Sequence, residues 1–393
     1  MKHITVLFAA LIAFSTMTAQ GIDFKHNGWE KMKVKAAKEN KIIFIDAYTT
    51  WCGPCKWMAA NVFTDEGVAD FYNDNFLNMK IDMEEGEGLD FAKEYKVVAY
   101  PTLLFIDGNG DIVHKRMGAL PAEEFLEFGK EALDPEKRIG TLIAEYESGN
   151  RDPEFLRNYV TRMVAAGMDP MDAADEYFAT LSDEELVSDE NFMLIRMLRP
   201  SMDSEYFGKV SDNRDAFAAE VGEPKVMGFL KEICTSALMK AIYQDDKTEF
   251  AKVKAEVVAM DAPFTEEVVL FADMRYAWGE GDYDNFIKYA DKYTKDFIWN
   301  DWNELNTIAW QIYEDEKYAG KDYLKLGLKM AKQSVSIEEN YFNTDTYAAL
   351  LYKAGKYKKA EEMAVLAIEN AKKQKMEAGE TEKLLEKIQA ALM

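Results

Sequence analysis

Between residues 24 and 132 the apolar positions switch repeatedly between helical and strand-like spacing. Residues 27–39 predict an amphipathic helix. Lys41-Ile42-Ile43-Phe44-Ile45-Asp46-Ala47-Tyr48 then forms an apolar, β-branched run that predicts a buried strand over 41–47. A short turn leads into a helix starting near Cys52. Thr64 is the expected N-cap of the next helix, with Asp65 and Glu66 in its first turn. Residues 76–82 read as a strand and 89–95 as a helix. Strands at 102–106 and 111–117 flank Asp107-Gly108-Asn109-Gly110, a hairpin turn. Pro121 opens a last helix that offers Phe125, Leu126 and Phe128 for packing. Strands alternating with helices, then a hairpin and a helix, predict an α/β domain with a mixed sheet and helices on both faces.

The pattern changes after Asp134-Pro135. Strand alternation disappears and long helical periodicity takes over. Four segments are expected: a leader at 1–20, the α/β domain at 21–134, an α-helical region at 135–260, and helical repeats at 261–393. In the last segment, Tyr352-Lys-Ala-Gly355-Lys-Tyr357-Lys-Lys-Ala360, with Ala364, Ala367 and Ile368, resembles the turn and second helix of a tetratricopeptide repeat. Tyr276-Ala-Trp-Gly-Glu-Gly281-Asp-Tyr283 resembles the same turn in an earlier copy. A middle copy carries Ala331 and a divergent turn around Gly320. Stacked helix pairs imply a protein-binding role. Trp299, Trp302 and Trp310 read as core residues.

The first twenty residues have a charged start, an apolar core from Ile4 to Phe14 and small residues before Ala19-Gln20. They read as a secretory signal peptide cleaved after Ala19 or Gln20, with an uncleaved anchor as the alternative. The mature protein is then expected to be exported, most simply to a bacterial periplasm. A formal net charge of −24 argues against nucleic acid and anionic membrane as partners.

The chemistry concentrates in Trp51-Cys52-Gly53-Pro54-Cys55. The chain has three cysteines, the third being Cys234 in an apolar helical setting that predicts a buried, unreactive thiol, with a third redox cysteine or an intermolecular bridge as the alternative. A structural zinc site needs four Cys or His ligands, and no second cluster accompanies this pair. Covalent haem attachment needs His after the second cysteine, where Lys56 stands. A static disulfide across so small a ring would stabilise little. Redox exchange is the favoured reading: a strand, a turn and a cysteine at a helix start suit a thiolate, because the helix N-terminus stabilises negative charge.

Residues 24–132 resemble a thioredoxin domain. The resemblance rests on Trp51-Cys-Gly-Pro-Cys55-Lys56, on Asp46 six residues before Cys52, on Tyr100-Pro101-Thr102, and on Gly118-Ala119-Leu120. Asn61-Val62-Phe63-Thr64-Asp65 also resembles the reducing domains of bacterial thiol:disulfide interchange proteins. The resemblance implies a Cys52–Cys55 disulfide couple. Cys52 would be the exposed attacking thiol and Cys55 the more buried resolving thiol. Asp46 would accept a proton from Cys55; its bland alternative is a turn cap. Pro101 would be a cis-proline exposing the Tyr100 backbone to an extended substrate; the alternative is an ordinary trans proline. Trp51, Gly53, Pro54, Tyr100 and Gly118 would contact substrate, and Trp51 equally shields the helix start. The family's lysine partner for the aspartate aligns with Asn78, which puts lysine tuning of Asp46 in doubt. Glu84-Glu85-Gly86-Glu87-Gly88 reads as a solvated acidic loop rather than a calcium site.

The expected activity is protein-disulfide reduction, with a potential at the reducing end of the scale, roughly −270 mV. The alternatives are disulfide oxidation or isomerisation, or a repeat scaffold whose α/β domain is mainly structural. No flavin or nicotinamide fingerprint occurs, so no cofactor is expected and electrons must come from an interchange partner.

Overall fold

The computed structural model describes residues 21–25, 28–317 and 320–393. The expected leader and His26 lie outside the described residues, as does part of the expected middle-repeat turn. The chain divides into one compact unit that ends at Leu186 and a second that spans Val187–Met393.

The first unit opens with α1 (Trp29–Glu39), β1 (Ile42–Tyr48), α2 (Gly53–Asn61), α3 (Glu66–Asn75) and β2 (Phe76–Asp82). It continues with α4 (Gly88–Glu94), β3 (Thr102–Ile106), β4 (Ile112–Met117) and α5 (Ala122–Leu133). The sheet order is β2-β1-β3-β4, with β1 and β2 parallel and the other pairs antiparallel. Successive strand residues face opposite sides, so the unbroken apolar run of β1 feeds two cores. Phe44 packs with Met58, Tyr72, Phe105 and Phe125 on one face. Ile43 and Ile45 pack with Met32, Phe91 and Leu104 on the other. The mixed α/β architecture expected from the pattern is therefore the one observed.

Two local details differ from the sequence reading. The N-cap of α3 is Asp65, whose side chain accepts the Val68 N–H at 3.0 Å. Thr64 instead donates its hydroxyl back to the Ala60 carbonyl at 2.8 Å, finishing α2. The outer edge of β2 is also covered: Lys25 N–H donates to the Asn78 carbonyl at 2.8 Å, and Lys25 bridges to Met79.

The compact unit does not stop at residue 134. Helices α6 (Ile139–Glu147) and α7 (Pro153–Ala165) continue it, followed by Met171–Ala179 and Asp183–Leu186. α6 lies against edge strand β4 so closely that a Cβ on Gly140 would fall 2.9 Å from the Ile112 carbonyl oxygen. A polar staple fixes the contact. His114 of β4, 2% exposed, accepts the Ile139 N–H at Nδ1 (3.3 Å) and lies 3.2 Å through Nε2 from Glu131 Oε2. With Nδ1 accepting, Nε2 carries the proton and donates. Arg162 of α7 donates to the same Glu131 oxygen at 3.0 Å. Burial holds His114 below its ordinary pKa, keeping it neutral. The His114 hydrogen bond and then Arg162 pull Glu131 down to about 2. A depressed carboxyl pKa contributes stability above its ordinary value of 4.5 and loses it as pH falls toward 2. Glu131→Gln is expected to speed hydrogen exchange of α6 amides about tenfold at neutral pH, the effect of losing one charge-assisted bond. The gap to wild type should shrink as the pH drops below 4.5. A pH-independent gap would refute this role for the carboxylate.

Among its described residues the second unit is built of helices and the turns between them. Its later part consists of helix pairs: Thr265–Gly279 with Tyr283–Asp296, Trp302–Glu314 with Lys321–Ile337, and Tyr341–Lys353 with Tyr357–Gln374. The turns of the first and last pairs contain Gly281 (φ 71°) and Gly355 (φ 69°). Ala360, Ala364 and Ala367 are fully buried. The expected core tryptophans are only partly buried, with Trp299 packed against the rim of the apolar cluster. Cys234 is buried, 3.6 Å from the Met260 sulfur, and burial pushes its thiol up to about 12. Among the described residues no helix is long and apolar enough to cross a membrane.

Candidate functional site

The site is built at the end of β1. The chain leaves Tyr48, and Cys52 N–H donates to the Thr49 carbonyl at 3.3 Å in a tight turn. Cys52 is then the N-cap of α2, with Pro54 in the first turn, where its missing N–H costs nothing. Cys52 and Cys55 are joined by a disulfide. The Cys55 N–H points at Cys52 Sγ, 3.1 Å away. This N–H and the positive helix end both act on the Cys52 sulfur, not on that of Cys55. The expected contrast in exposure is absent: both cysteines are 3% exposed. The disulfide turns the Cys52 side chain inward over its own helix, so the asymmetry between the two sulfurs lies in their electrostatics.

Sheet register brings the other candidates to the same place. Ala47 pairs with Thr102 and Asp46 with Leu103, so the residues before β3 lie beside the end of β1 that leads to Cys52. The Tyr100–Pro101 peptide is cis. The Pro101 carbonyl accepts the Gly118 N–H at 2.8 Å. Gly118 has φ +91°, and a Cβ there would meet nothing within 4 Å. The left-handed backbone requires glycine, and the space above it is open to another chain. Trp51, 64% exposed, stands edge-on to Tyr100 with ring centroids 5.9 Å apart. Gly53 and Pro54 are exposed, and a Cβ on Gly53 would also meet nothing. The site therefore presents exposed indole and ring surface next to a disulfide, with unfilled space over two glycines.

Asp46 is fully buried on β1. Its partner is Lys80 of β2, directly opposite in the parallel register, with Nζ 2.9 Å from Oδ2. This corrects the doubt raised by Asn78 at the aligned position. Residues 78 and 80 share a sheet face, so a lysine two residues along still meets the aspartate. The contact is close, and Lys80 acts on the carboxylate first through its charge and then as a donor. The ammonium is also held over the rings of Tyr48 (4.7 Å), Phe63 (5.2 Å) and Phe24 (5.4 Å). Burial raises the Asp46 pKa, and Lys80 opposes that rise without cancelling it. A buried carboxyl with a raised pKa is suited to take up and release a proton.

The acidic loop is not merely solvated. Glu84 Oε2 accepts the Trp51 Nε1–H at 2.9 Å, and Glu87 Oε2 accepts the Trp29 N–H at 2.8 Å at the start of α1. One carboxylate thus fixes the indole beside the cysteines. No local sequence signal marks Glu84, because its partner lies 33 residues away.

Residues 29–133 match the family model of a thioredoxin-like domain. Thioredoxin-1 of Saccharomyces cerevisiae is 40% identical over 90 residues, covering 22% of this chain and 78% of that protein. Chloroplastic thioredoxin Y of Oryza sativa is 33% identical over 100 residues, covering 25% of this chain and 56% of that relative's length. A solution structure from Bacteroides thetaiotaomicron, described as a candidate disulphide-isomerase, is 45% identical and covers 29% of this chain and 94% of its own, with a TM-score of 0.28.

Proposed function

This chain belongs to the thioredoxin family through residues 29–133, and from that membership we propose that it is an exported thiol:disulfide oxidoreductase that reduces protein disulfides. The observation that carries the reading is the Cys52–Cys55 disulfide at the N-cap of α2, with the Cys55 N–H directed at Cys52 Sγ. In the reduced state that N–H and the helix end favour the Cys52 thiolate. The thiolate attacks one sulfur of a substrate disulfide, forming a Cys52–substrate mixed disulfide and releasing the other substrate sulfur as thiolate. Cys55 then loses its proton, with Asp46 as the acceptor, and attacks Cys52 Sγ. The Cys52–Cys55 bond reforms and the second substrate sulfur leaves. Two electrons pass to the substrate in each cycle.

Tyr100, Pro101 and Gly118 offer backbone to an extended substrate segment, and Trp51 with Gly53 and Pro54 covers its apolar flank. The helix pairs from Thr265 onward, read as tetratricopeptide-like repeats, recruit or orient a protein partner. Electrons return from a thiol:disulfide interchange partner. Residues 1–20, read as a cleaved signal, support work outside the cytoplasm.

The test combines insulin reduction by the full mature chain, with dithiothreitol as electron source, and equilibration of the couple in thiol redox buffers. Catalysed reduction and a potential on the order of −270 mV are expected. A potential above about −180 mV would move the assignment to oxidation or isomerisation. Thiols inert to exchange would end it.

A further inference from the structure

Lys115 lies on edge strand β4, opposite Leu104 of β3, yet it is 3% exposed. Among the described residues its ammonium has no carboxylate partner. Nζ donates instead to two successive main-chain carbonyls, Tyr95 O at 2.9 Å and Lys96 O at 3.2 Å. These carbonyls sit just past the C-terminal end of α4, where the helix leaves acceptors unsatisfied and its dipole favours a cation. Burial, and then the Lys96 charge, bring Lys115 down to about 8. A lysine kept in so unfavourable a place needs a local purpose.

The segment it holds is the one that leads to the substrate face. Tyr95 is rigid, with its ring packed on Trp29 and Phe91 and its hydroxyl donating to the Gly110 carbonyl at 3.1 Å. Lys96 then turns through a left-handed conformation (φ +49°). Beyond it Val98 stands 74% exposed, and Tyr100 meets Trp51. The far end is fixed by the Thr102 hydroxyl, which donates to the Ala99 carbonyl at 2.7 Å. Residues 98–100 therefore lie between the Lys115 clamp with buried Val97 on one side and the Thr102 hydrogen bond on the other.

Building on the proposed reductase reading, we propose that Lys115 is a positioning residue that fixes the 95–100 segment so that Val98 and Tyr100 receive a protein substrate beside Cys52. It touches neither sulfur nor substrate. Without it the segment samples more conformations, and a substrate must bind the competent fraction alone.

The experiment uses the full mature chain. Lys115→Met keeps the apolar stem and removes the donors. If the competent fraction falls to about a fifth, KM for insulin rises about fivefold. The kcat, and the second-order rate of the reduced dithiol with a small aromatic disulfide that does not use the segment, should stay at wild-type values. Lys115→Gln, which keeps a donor, should give a smaller rise, and it replaces the Met variant should that one not fold. Thr102→Val should raise KM in the same way and combine less than additively with Lys115→Met, since both act on one segment. An unchanged KM, or equal losses toward insulin and the small disulfide, would overturn the proposal while leaving the reductase reading intact. A wild-type chain that reacts with the small disulfide but reduces no protein disulfide would remove the reductase reading and this inference with it.

Discussion

Cys55→Ser should convert the protein from a turnover catalyst into a trap. The attacking sulfur remains at the N-cap of α2 with the residue-55 N–H still aimed at it, so mixed disulfides form. The resolving sulfur is gone. Even a modest intramolecular effective concentration of about 10 M far exceeds millimolar external thiol, so release should slow by about 10³-fold or more. Partners should then accumulate on Cys52, visible on non-reducing gels and identifiable by mass spectrometry. Cys52→Ser should give no such adducts and only background insulin reduction. The prediction is directional because the two positions differ electrostatically. Cys52 Sγ receives a backbone N–H and faces the positive end of the helix, whereas Cys55 lies within the first turn. Adducts forming through residue 55 in the Cys52→Ser variant, at a rate matching the Cys55→Ser trap, would contradict this.

Much of the first unit was readable because its signals are local. The run 42–45 is apolar at every position, which suits only a strand covered on both faces, and β1 is that strand. Asp107-Gly108-Asn109-Gly110 gave the hairpin because its one left-handed position falls on a glycine, Gly110 (φ 96°). The Thr64–Asp65 choice went the other way for a local but competitive reason: both can cap, and Thr64 found the end of α2 first. The packing of α6 and α7 onto this unit was not legible, for a different reason. The attachment of α6 and α7 depends on His114, Glu131 and Arg162, and residues 114 and 162 are far apart in sequence. No periodicity records such a contact. Lys80 could have been found by asking which residue shares the sheet face of position 78.

The same division holds in the second unit. The two turns with Gly281 and Gly355 were legible because a fixed glycine after an aromatic marks a helix-pair turn. Earlier in that unit the chain passes through a π-helical stretch, Ala218–Gly222, before the long helix Glu223–Tyr243. One extra residue per turn breaks the 3.6 spacing, and with it any repeat that spacing could have displayed.

Asp46→Asn should slow turnover and stabilise the fold in the same molecule. The native carboxyl is buried, and burial outweighs Lys80, so its pKa lies above the ordinary value of 3.8. A carboxyl whose folded pKa is raised favours the native state fully only below 3.8, and that benefit is lost as pH climbs through the folded value. Wild type therefore carries a penalty at neutral pH that asparagine, neutral and nearly isosteric, does not. The stability gap should be near zero in acid, grow through the Asp46 titration and level off above it, with unfolding monitored in the first unit. Lys80→Met should raise the Asp46 pKa further, since it removes the charge that opposes burial. The kinetic effect runs opposite. Asparagine takes no proton from Cys55, and loss of a general base commonly costs about 10²-fold or more in the step it serves. The resolving attack should slow accordingly at neutral pH, prolonging the Cys52 mixed disulfide, while the first attack by Cys52 changes little. As the pH rises toward the range in which Cys55 ionises unaided, the variant should regain its rate. A stabilised variant that resolves mixed disulfides at the wild-type rate across pH would show Asp46 to be a structural partner of Lys80 alone; a destabilised one would show that the ion pair, not burial, dominates the site.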